Sequence, residues 1–441
     1  MKSIELTYQN ARVERSKIHE YSLNLMNEIK NLNDALAMGY DDPHASINLI
    51  TDYGTVNRIK KIKQEKQALN PRYIIVIGIG GSNLGTLAIQ EALLGKQYNL
   101  KNPKSMILYA ETVDPDRLTD IKNLIEPILK NDEDILLIII SKSGETTETV
   151  VNFEILLSIL KKYKNDYQDY IVAITDKHSP LWMQAQKHGY SLLEIPPKIG
   201  GRFSVFSPVG LFPLAMLDID IDQLLLGARS MRESCLTSTI EKNPAALSAL
   251  HIYAHWKKGI RIHDLFLFSC DLESLGKWYR QLMGESIGKE FDNNQNQIFA
   301  GITPTVSIGS TDLHSMAQLY LGGPYDKFTT FVRLQKFNNI MVLPVDTETN
   351  HIISSIEGKQ VQTIMDAILN GVQKAFQKRQ RPFMELTLPD KSASTVGQFL
   401  QMKMMEIMYL GYLLHLNPFN QPNVEEYKIE TKKILETESL K

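Results

Sequence analysis

The sequence lacks the features that mark secreted or nucleic-acid-binding proteins. Its 441 residues include only two cysteines, Cys235 and Cys270, so we expect two buried thiols in a reducing compartment rather than a disulfide framework. The 48 lysines and arginines nearly balance the 50 aspartates and glutamates, a net charge of −2. This balance gives no electrostatic reason to expect nucleic acid or an anionic membrane as a partner, but it allows a local cationic pocket for a small anion.

Long apolar runs and targeting signals are also missing. The longest uninterrupted apolar run, Ile135 to Ile140, is far too short to span a membrane. The N-terminal segment MKSIELTYQNARVERSK carries charges where a signal peptide needs an apolar core, so we expect no export. The apolar stretch from Met402 to Leu416 carries Lys403 and Glu406, and it is typical of a helix that faces a protein core. These patterns favour a cytoplasmic protein without a membrane partner.

Two series of short β-branched runs alternate with helical stretches. The first series comprises YIIVIGIGG, SMILYA, DILLIIISKSG, DYIVAITD and YSLLEIP; the second comprises HDLFLFSC, QIFAGITPTVSIG, FTTFVRLQKF, NIMVLPVD and PFMELTLP. Strands that are apolar on both faces belong to buried parallel sheets covered by helices. The sequence therefore predicts an α/β fold with two doubly wound domains and mainly parallel central sheets.

The same pattern predicts four segments along the chain. The first sixty-odd residues have the spacing of amphipathic helices, and the end of the chain combines a loop with a charged helix. We predict a helical arm over 1–65, α/β domains over 66–225 and 226–416, and a C-terminal loop and helix over 417–441.

A glycine-rich segment, GIGGSNLG from Gly78 to Gly85, follows the first strand of the first series. Its glycines permit tight turning and close backbone approach, and the helix that follows offers free N–H groups to an anion. Asn83 stands where a dinucleotide fingerprint has its third glycine, and no Gly-Lys-Ser/Thr follows as in a P-loop. The segment alone indicates either a phosphate or polar ligand near a helix N-terminus or a simple turn.

Hydroxyl groups surround a lysine at a second strand end, in SKSGETTET from Ser141 to Thr149. Several O–H and N–H donors beside a positive charge suit a phosphate group. An N-terminal helix cap would explain one hydroxyl, but this turn offers Ser141, Ser143, Thr146 and Thr147. We therefore favour a phosphate site.

Two further segments carry an arginine and a carboxylate. In Gly200-Gly201-Arg202 the glycines allow the guanidinium to point into a cavity and stabilise a developing oxyanion, although an arginine in a turn is more often a surface ion pair. Gln281 and Glu285 lie four residues apart on one helical face, where a carboxylate can act as a general base. The alternative for Glu285 is a surface ion pair with Lys289.

The histidines do not form a recognisable metal motif. His251 and His255 have helical spacing, but the glutamate of a zincin is absent between them and no third ligand is in view, so we interpret both as structural or surface residues. His314 lies in a polar turn after the TVSIG strand, a better position for acid–base work.

Six motifs in this order resemble those of the glucose-6-phosphate isomerase family in its compact bacterial form. They are GIGGSNLG, SKSGETTET, GGRFSVFSPVG, GESIGK, STDLHSMAQ and NPFNQPNVEEYK, and the resemblance extends from Tyr73 to Lys428. It implies two sugar-isomerase-type domains, a homodimer and the reversible isomerisation of glucose 6-phosphate and fructose 6-phosphate. It also implies a small-molecule sugar phosphate as partner, and neither a metal nor any other cofactor.

The resemblance also implies roles for individual residues. Glu285 matches the base that moves a proton between C1 and C2 through a cis-enediol, and Arg202 matches the arginine that stabilises its negative charge. His314, supplied across the subunit interface, and Lys428 match the pair that opens the sugar ring. The implied substrate and phosphate contacts are Gly81, Ser82, Ser141, Lys142, Ser143, Thr146, Gln281 and Gln421.

The last motif departs from the usual pattern at Asn420, where aspartate is common, and at Asn423, where glycine is common.

The residues leave three rival functions open. One is an isomerase of a related phosphosugar such as mannose 6-phosphate, and another is a non-catalytic sugar-phosphate-binding regulator, which would not need Glu285 or Lys428. The third, a dinucleotide-dependent dehydrogenase, is disfavoured by Asn83.

Overall fold

The computed structural model describes residues 2–345 and 352–438. The α-helices of this part of the chain are α1 (Arg15–Ala35), α2 (Tyr53–Gln67), α3 (Leu84–Leu94), α4 (Pro115–Lys130), α5 (Thr147–Lys161), α6 (Pro180–His188), α7 (Pro208–Met216), α8 (Ile221–Cys235), α9 (Pro244–Lys257), α10 (Glu273–Ile287), α11 (Ala317–Gly322), α12 (Val361–Lys378), α13 (Ala393–Leu413) and α14 (Val424–Glu438). Its β-strands are β1 (Glu5–Thr7), β2 (Tyr73–Ile77), β3 (Met106–Ala110), β4 (Ile135–Ile140), β5 (Ile171–Thr175), β6 (Ser191–Glu194), β7 (Ile262–Leu267), β8 (Lys289–Phe291), β9 (Gln297–Ala300), β10 (Thr303–Ile308), β11 (Lys327–Leu334) and β12 (Phe383–Leu388).

The first sheet has the strand order β3-β2-β4-β5-β6 and is parallel throughout. Side chains of β2 alternate between two hydrophobic clusters: Ile74 and Val76 enter one, and Ile75 and Ile77 enter the other. A strand that buries both faces needs helices on both sides of the sheet. The prediction of a doubly wound parallel sheet is therefore confirmed.

The second sheet has the order β1-β12-β11-β7-β10 and is parallel except at β1, which pairs antiparallel with β12. The helical interpretation of the N-terminal segment missed β1, because three residues on a sheet edge give too short a pattern to read. The prediction of a strand at NIMVLPVD is wrong for the described residues of this segment. Of these, Val342 forms only an isolated bridge with Gln360. Ile340 is 78% exposed, so this apolar run has no core to enter. Asp346, its last residue, lies outside the described residues.

A single hydrophobic core joins the two sheets through the helices that lie between them. It receives Ile74 and Val76 from the first sheet, Leu265 and Leu267 from the second, and most of α13. The charged residues of α13 are paired inside this core, since Lys403 Nζ donates to Glu406 Oε2 at 2.7 Å and both side chains are fully buried. The prediction that this segment is a core-facing helix is confirmed.

Helix α13 also approaches α8 closely enough to exclude side chains. A Cβ on Gly227 of α8 would lie 1.9 Å from the carbonyl oxygen of Ser394, so only glycine fits there.

The two cysteines differ from expectation in one respect. Cys235 is buried as predicted, but Cys270 is exposed, and both are free thiols. No α-helix in residues 2–345 and 352–438 is long and apolar enough to cross a membrane.

The strands of the first sheet fall within the predicted domain 66–225, and β7 to β12 fall within 226–416. The predicted C-terminal segment contains a loop followed by α14, and its last residues, 439–441, lie outside the described residues, as does Met1 of the predicted arm. The four domain limits themselves stay predictions.

Candidate active site

The first sheet reverses its strand order between β2 and β4. From β2 the chain passes to β3 on one side and then to β4 on the other, and both pairs are parallel. Ligands of open α/β sheets bind at this kind of switch point, outside the carboxyl ends of the strands. The loops after β2 and β4 are the segments that begin at Gly78 and Ser141, so both predicted anion-binding motifs flank the switch point.

The loop after β4 folds around its own hydroxyl groups. Ser141 Oγ lies 2.9 Å from Thr146 Oγ1 and accepts a hydrogen bond from the Gly144 N–H at 3.1 Å. Ser143 Oγ accepts from the Glu145 N–H at 3.3 Å. Thr146 precedes α5, yet its side chain makes no capping hydrogen bond. The Thr146 hydroxyl therefore does not act as a simple helix cap.

A carboxyl group that sequence reasoning missed adjoins this loop. The Asp176 N–H donates to the carbonyl oxygen of Lys142 at 3.2 Å. Burial raises the pKa of the Asp176 carboxyl to about 6, while the nearby charge of Lys142 acts in the opposite direction. Nothing in the sequence around Asp176 marks it, because its place beside Lys142 depends on the pairing of β4 with β5.

The loop after β2 touches the turn that carries the predicted catalytic arginine. A Cβ on Gly81 would lie 2.2 Å from the carbonyl carbon of Gly201, so the two backbones meet only because residue 81 has no side chain. Ser82 ends the short 3-10 turn Gly80–Ser82 in the same loop. The contact places the predicted residues Gly81 and Ser82 next to the 3-10 turn Gly201–Phe203, which contains Arg202.

Arg202 is 2% exposed and makes five hydrogen bonds. Its donors reach Ser286 Oγ (Nε, 2.7 Å), Glu285 Oε2 (Nη1, 3.1 Å), Gln421 Oε1 (Nη1, 2.8 Å), the Pro418 carbonyl oxygen (Nη2, 2.6 Å) and the Asn420 carbonyl oxygen (Nη2, 3.0 Å). Burial lowers the pKa of the guanidinium, whereas the Glu285 carboxylate raises it. Arg202 is therefore a buried cation with one anionic partner, and the alternative of a surface ion pair is wrong.

Glu285 lies near the end of α10 with both carboxylate oxygens held. Oε1 accepts from Gln281 Nε2 at 2.9 Å, and Oε2 accepts from Arg202 Nη1 at 3.1 Å. Gln281 is one helical turn earlier, as the spacing predicted, and its amide also adjoins Gly80. The Glu285 side chain is 33% exposed. The carboxylate is thus fixed in direction and still open to a ligand.

Lys289 does not form the surface pair that the spacing suggested. Helix α10 ends at Ile287, so the helical i, i+4 geometry does not reach Lys289. Its ammonium group instead donates to the carbonyl oxygen of Glu285 at 2.7 Å and to that of Asn420. Lys289 is 6% exposed, and burial, reinforced by the charge of Arg202 and opposed by Glu285, lowers its pKa to about 8.

Two of the predicted catalytic residues, His314 and Lys428, make no hydrogen bond to Glu285 or Arg202 in the described part of the chain. His314 is exposed, directly after the 3-10 turn Thr311–Leu313. Lys428 lies on α14, where its Nζ donates to Glu425 Oε1 at 2.7 Å and its side chain is 47% exposed. Within residues 2–345 and 352–438, neither is hydrogen-bonded to Glu285 or Arg202.

Of the two predicted alternatives for the histidines of α9, structural or surface, the structure supports the first. His251 Nδ1 lies 2.7 Å from the Leu247 carbonyl oxygen, and His255 Nε2 lies 2.8 Å from the Ala11 carbonyl oxygen. Both rings are buried. The described residues contain no group of three or more His, Cys, Asp or Glu side chains that could hold a metal ion.

The two doubly wound sheets and the residues at their strand ends define an α/β protein of the sugar isomerase fold. In overall structure the chain is similar to a glucose-6-phosphate isomerase from Chlamydia trachomatis, with a TM-score of 0.83 at 20% identity over 100% of this chain and 89% of that one. The family model described as phosphoglucose isomerase matches residues 66–440, and the chain belongs to that family.

Individual relatives agree with this assignment. The chain is 34% identical over 372 residues to the glucose-6-phosphate isomerase of Carboxydothermus hydrogenoformans, a match that covers 82% of this chain and 79% of the relative. It is 33% identical over 378 residues to the glucose-6-phosphate isomerase of Latilactobacillus sakei, covering 84% of this chain and 80% of the relative.

Proposed function

We propose that the protein catalyses the reversible isomerisation of glucose 6-phosphate and fructose 6-phosphate. The observation that carries the proposal is the Glu285 carboxylate near the end of α10, fixed by Gln281 and Arg202 in a chain of the phosphoglucose isomerase family. Aldose–ketose exchange needs a base that removes a proton from one carbon and returns it to the neighbouring carbon. It is an internal proton transfer, so it needs no hydride acceptor.

Glu285 serves as that base in the proposed mechanism. Its Oε1 and Oε2 atoms are each held by one donor, which limits rotation of the carboxylate and favours a constant approach to C1 and C2 of the open-chain sugar. A base that returns the proton it removed must stay close to both carbons during the lifetime of the enediol. The two hydrogen bonds support such a fixed position.

Arg202 stabilises the negative charge of the enediol in this mechanism. Four of its five hydrogen bonds go to neutral acceptors, and Glu285 alone among the five is charged. When Glu285 takes up the substrate proton it loses its charge, and the guanidinium can then act on the developing oxyanion. A buried, preorganised cation is worth more for this purpose than an exposed one.

The phosphate group of the substrate binds the loop after β4. Ser141, Lys142, Ser143 and Thr146 supply hydroxyl groups and one positive charge beside the start of α5. Gly81, Ser82 and Gln421 contact the sugar, because their loops adjoin Arg202. The alternative substrate is a related phosphosugar such as mannose 6-phosphate, which differs from glucose 6-phosphate at C2. An assay with both sugars separates the two functions.

The working enzyme in this proposal is a cytoplasmic homodimer. His314, which is exposed and not bonded to Glu285, completes the site of the partner subunit and opens the sugar ring together with Lys428. Exposed apolar side chains of α14, namely Tyr427, Ile429 and Ile434, support burial against a second copy. The free thiols of Cys235 and Cys270 suit a reducing compartment.

The test is turnover of fructose 6-phosphate in buffered deuterium oxide with EDTA, followed by NMR. We expect glucose 6-phosphate to form with partial deuterium at C2, and Glu285→Gln to lower kcat by about 10²- to 10⁴-fold. Mannose 6-phosphate is assayed in parallel. Binding of fructose 6-phosphate without turnover by the wild-type protein would instead indicate the non-catalytic regulator.

A further inference from the structure

We propose that Lys289 is a positioning residue of this site, whose ammonium group holds the Glu285 end of α10 against the loop that carries Gln421. The inference rests on the proposed function and deepens it. Lys289 is distinct from the groups assigned above to proton transfer, ring opening and substrate contact. It acts through the backbone carbonyl groups of Glu285 and of Asn420, the neighbour of Gln421.

The geometry of Lys289 spans two separate parts of the chain. Its Nζ atom donates to the carbonyl oxygen of Glu285 at 2.7 Å and to the carbonyl oxygen of Asn420, 131 residues further along. The Asn420 carbonyl also accepts from Arg202 Nη2 at 3.0 Å. One backbone oxygen of the loop thus lies between two buried cations. Removal of the lysine would leave the Glu285 carbonyl at the end of α10 without this donor.

The charge of Lys289 matters as well as its donors. The charged groups that face it are Arg202, from the turn after β6, and Glu285, from α10. Hydrogen bonds from an ammonium group are about twice as strong as those from a neutral amine. A neutral Lys289 would therefore hold the loop more weakly and would remove one positive charge from beside the Glu285 carboxylate.

This arrangement predicts an alkaline limit to activity. Because burial lowers the pKa of Lys289 to about 8, the free enzyme loses the ammonium form as the pH rises through that value. The pH dependence of kcat/KM reports groups of the free enzyme, and that of kcat reports groups of the complex. A bound sugar phosphate adds negative charge nearby and favours the ammonium form. We expect kcat/KM to fall with a midpoint near pH 8 and kcat to fall only at higher pH.

The experiment measures both parameters from pH 6.5 to 9.5 in the wild type, Lys289→Met and Lys289→Arg. The matched control is Lys277→Met, since Lys277 is a half-exposed lysine of α10 that pairs with Glu273 outside the site. We expect Lys289→Met to lower kcat by about 10- to 100-fold and to lose the limb near pH 8. Lys289→Arg keeps the charge, so its limb moves to higher pH. Lys277→Met leaves the profile unchanged.

Amide hydrogen exchange over residues 417–423 gives a second readout that does not need turnover. We expect exchange in this loop to be faster in Lys289→Met than in the wild type or Lys277→Met. A limb near pH 8 that persists in either Lys289 variant, its absence from the wild type, or unchanged exchange would overturn the inference. A wild-type protein that turns over neither sugar phosphate would count against the proposed function alone, since the exchange measurement still decides the role of Lys289.

Discussion

Arg202 Nη1 lies 3.1 Å from Glu285 Oε2, although 83 residues separate the two in the sequence. One residue follows the last strand of the first sheet and the other lies on a helix that packs on the second. The two α/β units therefore share one site, in which a buried cation and a partly exposed carboxylate are already paired.

Replacing Arg202 with lysine should lower kcat strongly. Lysine keeps the charge, but it cannot reproduce the five hydrogen bonds of the planar guanidinium. We expect a decrease in kcat of about 10²- to 10³-fold, measured by steady-state kinetics with fructose 6-phosphate. Arg58→Lys, at an exposed position where Nη2 donates to the Leu192 carbonyl oxygen, is the control and should retain activity. Equal losses in the two variants would refute a special role for Arg202.

Mixing two inactive variants should restore part of the activity if the sites are shared between subunits. In a heterodimer of Glu285→Gln and His314→Ala, one site receives both defects and the other receives none. Each mixed dimer keeps one of its two sites intact, so we expect the purified mixed dimer to show about half of the wild-type activity. Co-expression with two affinity tags and an assay of the doubly tagged dimer measures it. If both residues of a site come from the same subunit, the mixed dimer stays inactive.

A methyl group at Gly81 should disturb the site through the turn of Arg202. The new Cβ would lie 2.2 Å from the carbonyl carbon of Gly201, so one of the two loops must move. We expect Gly81→Ala to lose about 1–3 kcal/mol of unfolding free energy, together with activity. Gly371→Ala on α12 is the matched control, because a Cβ there meets nothing within 4 Å. Denaturant unfolding and kinetics of both variants decide the point, and wild-type activity in Gly81→Ala would contradict it.

His44 should stabilise the protein in a pH-dependent way. Its ring nitrogens lie 2.9 Å from Glu28 Oε1 and 2.7 Å from Asp42 Oδ1, and the ring packs edge-on against Phe419 in the loop before Gln421. Burial lowers the pKa of His44, but the two carboxylates raise it further, and the net pKa is raised. The contribution to stability is therefore full below the unfolded pKa of about 6.5 and is lost as the pH rises through the folded pKa.

The measurement is the free energy of unfolding of the wild type and His44→Gln at pH 6 and pH 9. We expect a loss of about 1–3 kcal/mol at pH 6 and a smaller loss at pH 9. An equal loss at the two pH values would mean that packing against Phe419, rather than charge, accounts for the effect.

Strands β2 to β5 of the first sheet were predictable because they are almost wholly buried and give nearly continuous apolar runs. The fifth run, YSLLEIP, also forms a strand, although only Leu193 of β6 is buried. Strand β1 was missed since three residues on an edge carry almost no periodic signal. The run NIMVLPVD has the composition of a strand, but composition cannot tell whether a sheet position exists for it. Its described residues stay largely exposed.

The site was predictable where a motif and a local geometry coincide. Gln281 and Glu285 lie on one helical turn, and the sequence alone indicated their common face. Lys289 was misread because the helix ends two residues before it, a limit that depends on packing rather than on spacing. Asp176 and His44 could not be found at all. Their positions depend on strand pairing and on contacts with residues far away in the chain.

The distribution of hydrogen-bond acceptors around Arg202 also bears on the order in which the molecule is made. Three of its five hydrogen bonds go to Gln421 and to the carbonyl groups of Pro418 and Asn420. A nascent chain that has not yet released these residues from the ribosome holds a guanidinium without most of its acceptors. The hydrogen bonds of Arg202 are therefore completed only after Gln421 has been made, and a product truncated before Pro418 would keep only the Ser286 and Glu285 acceptors.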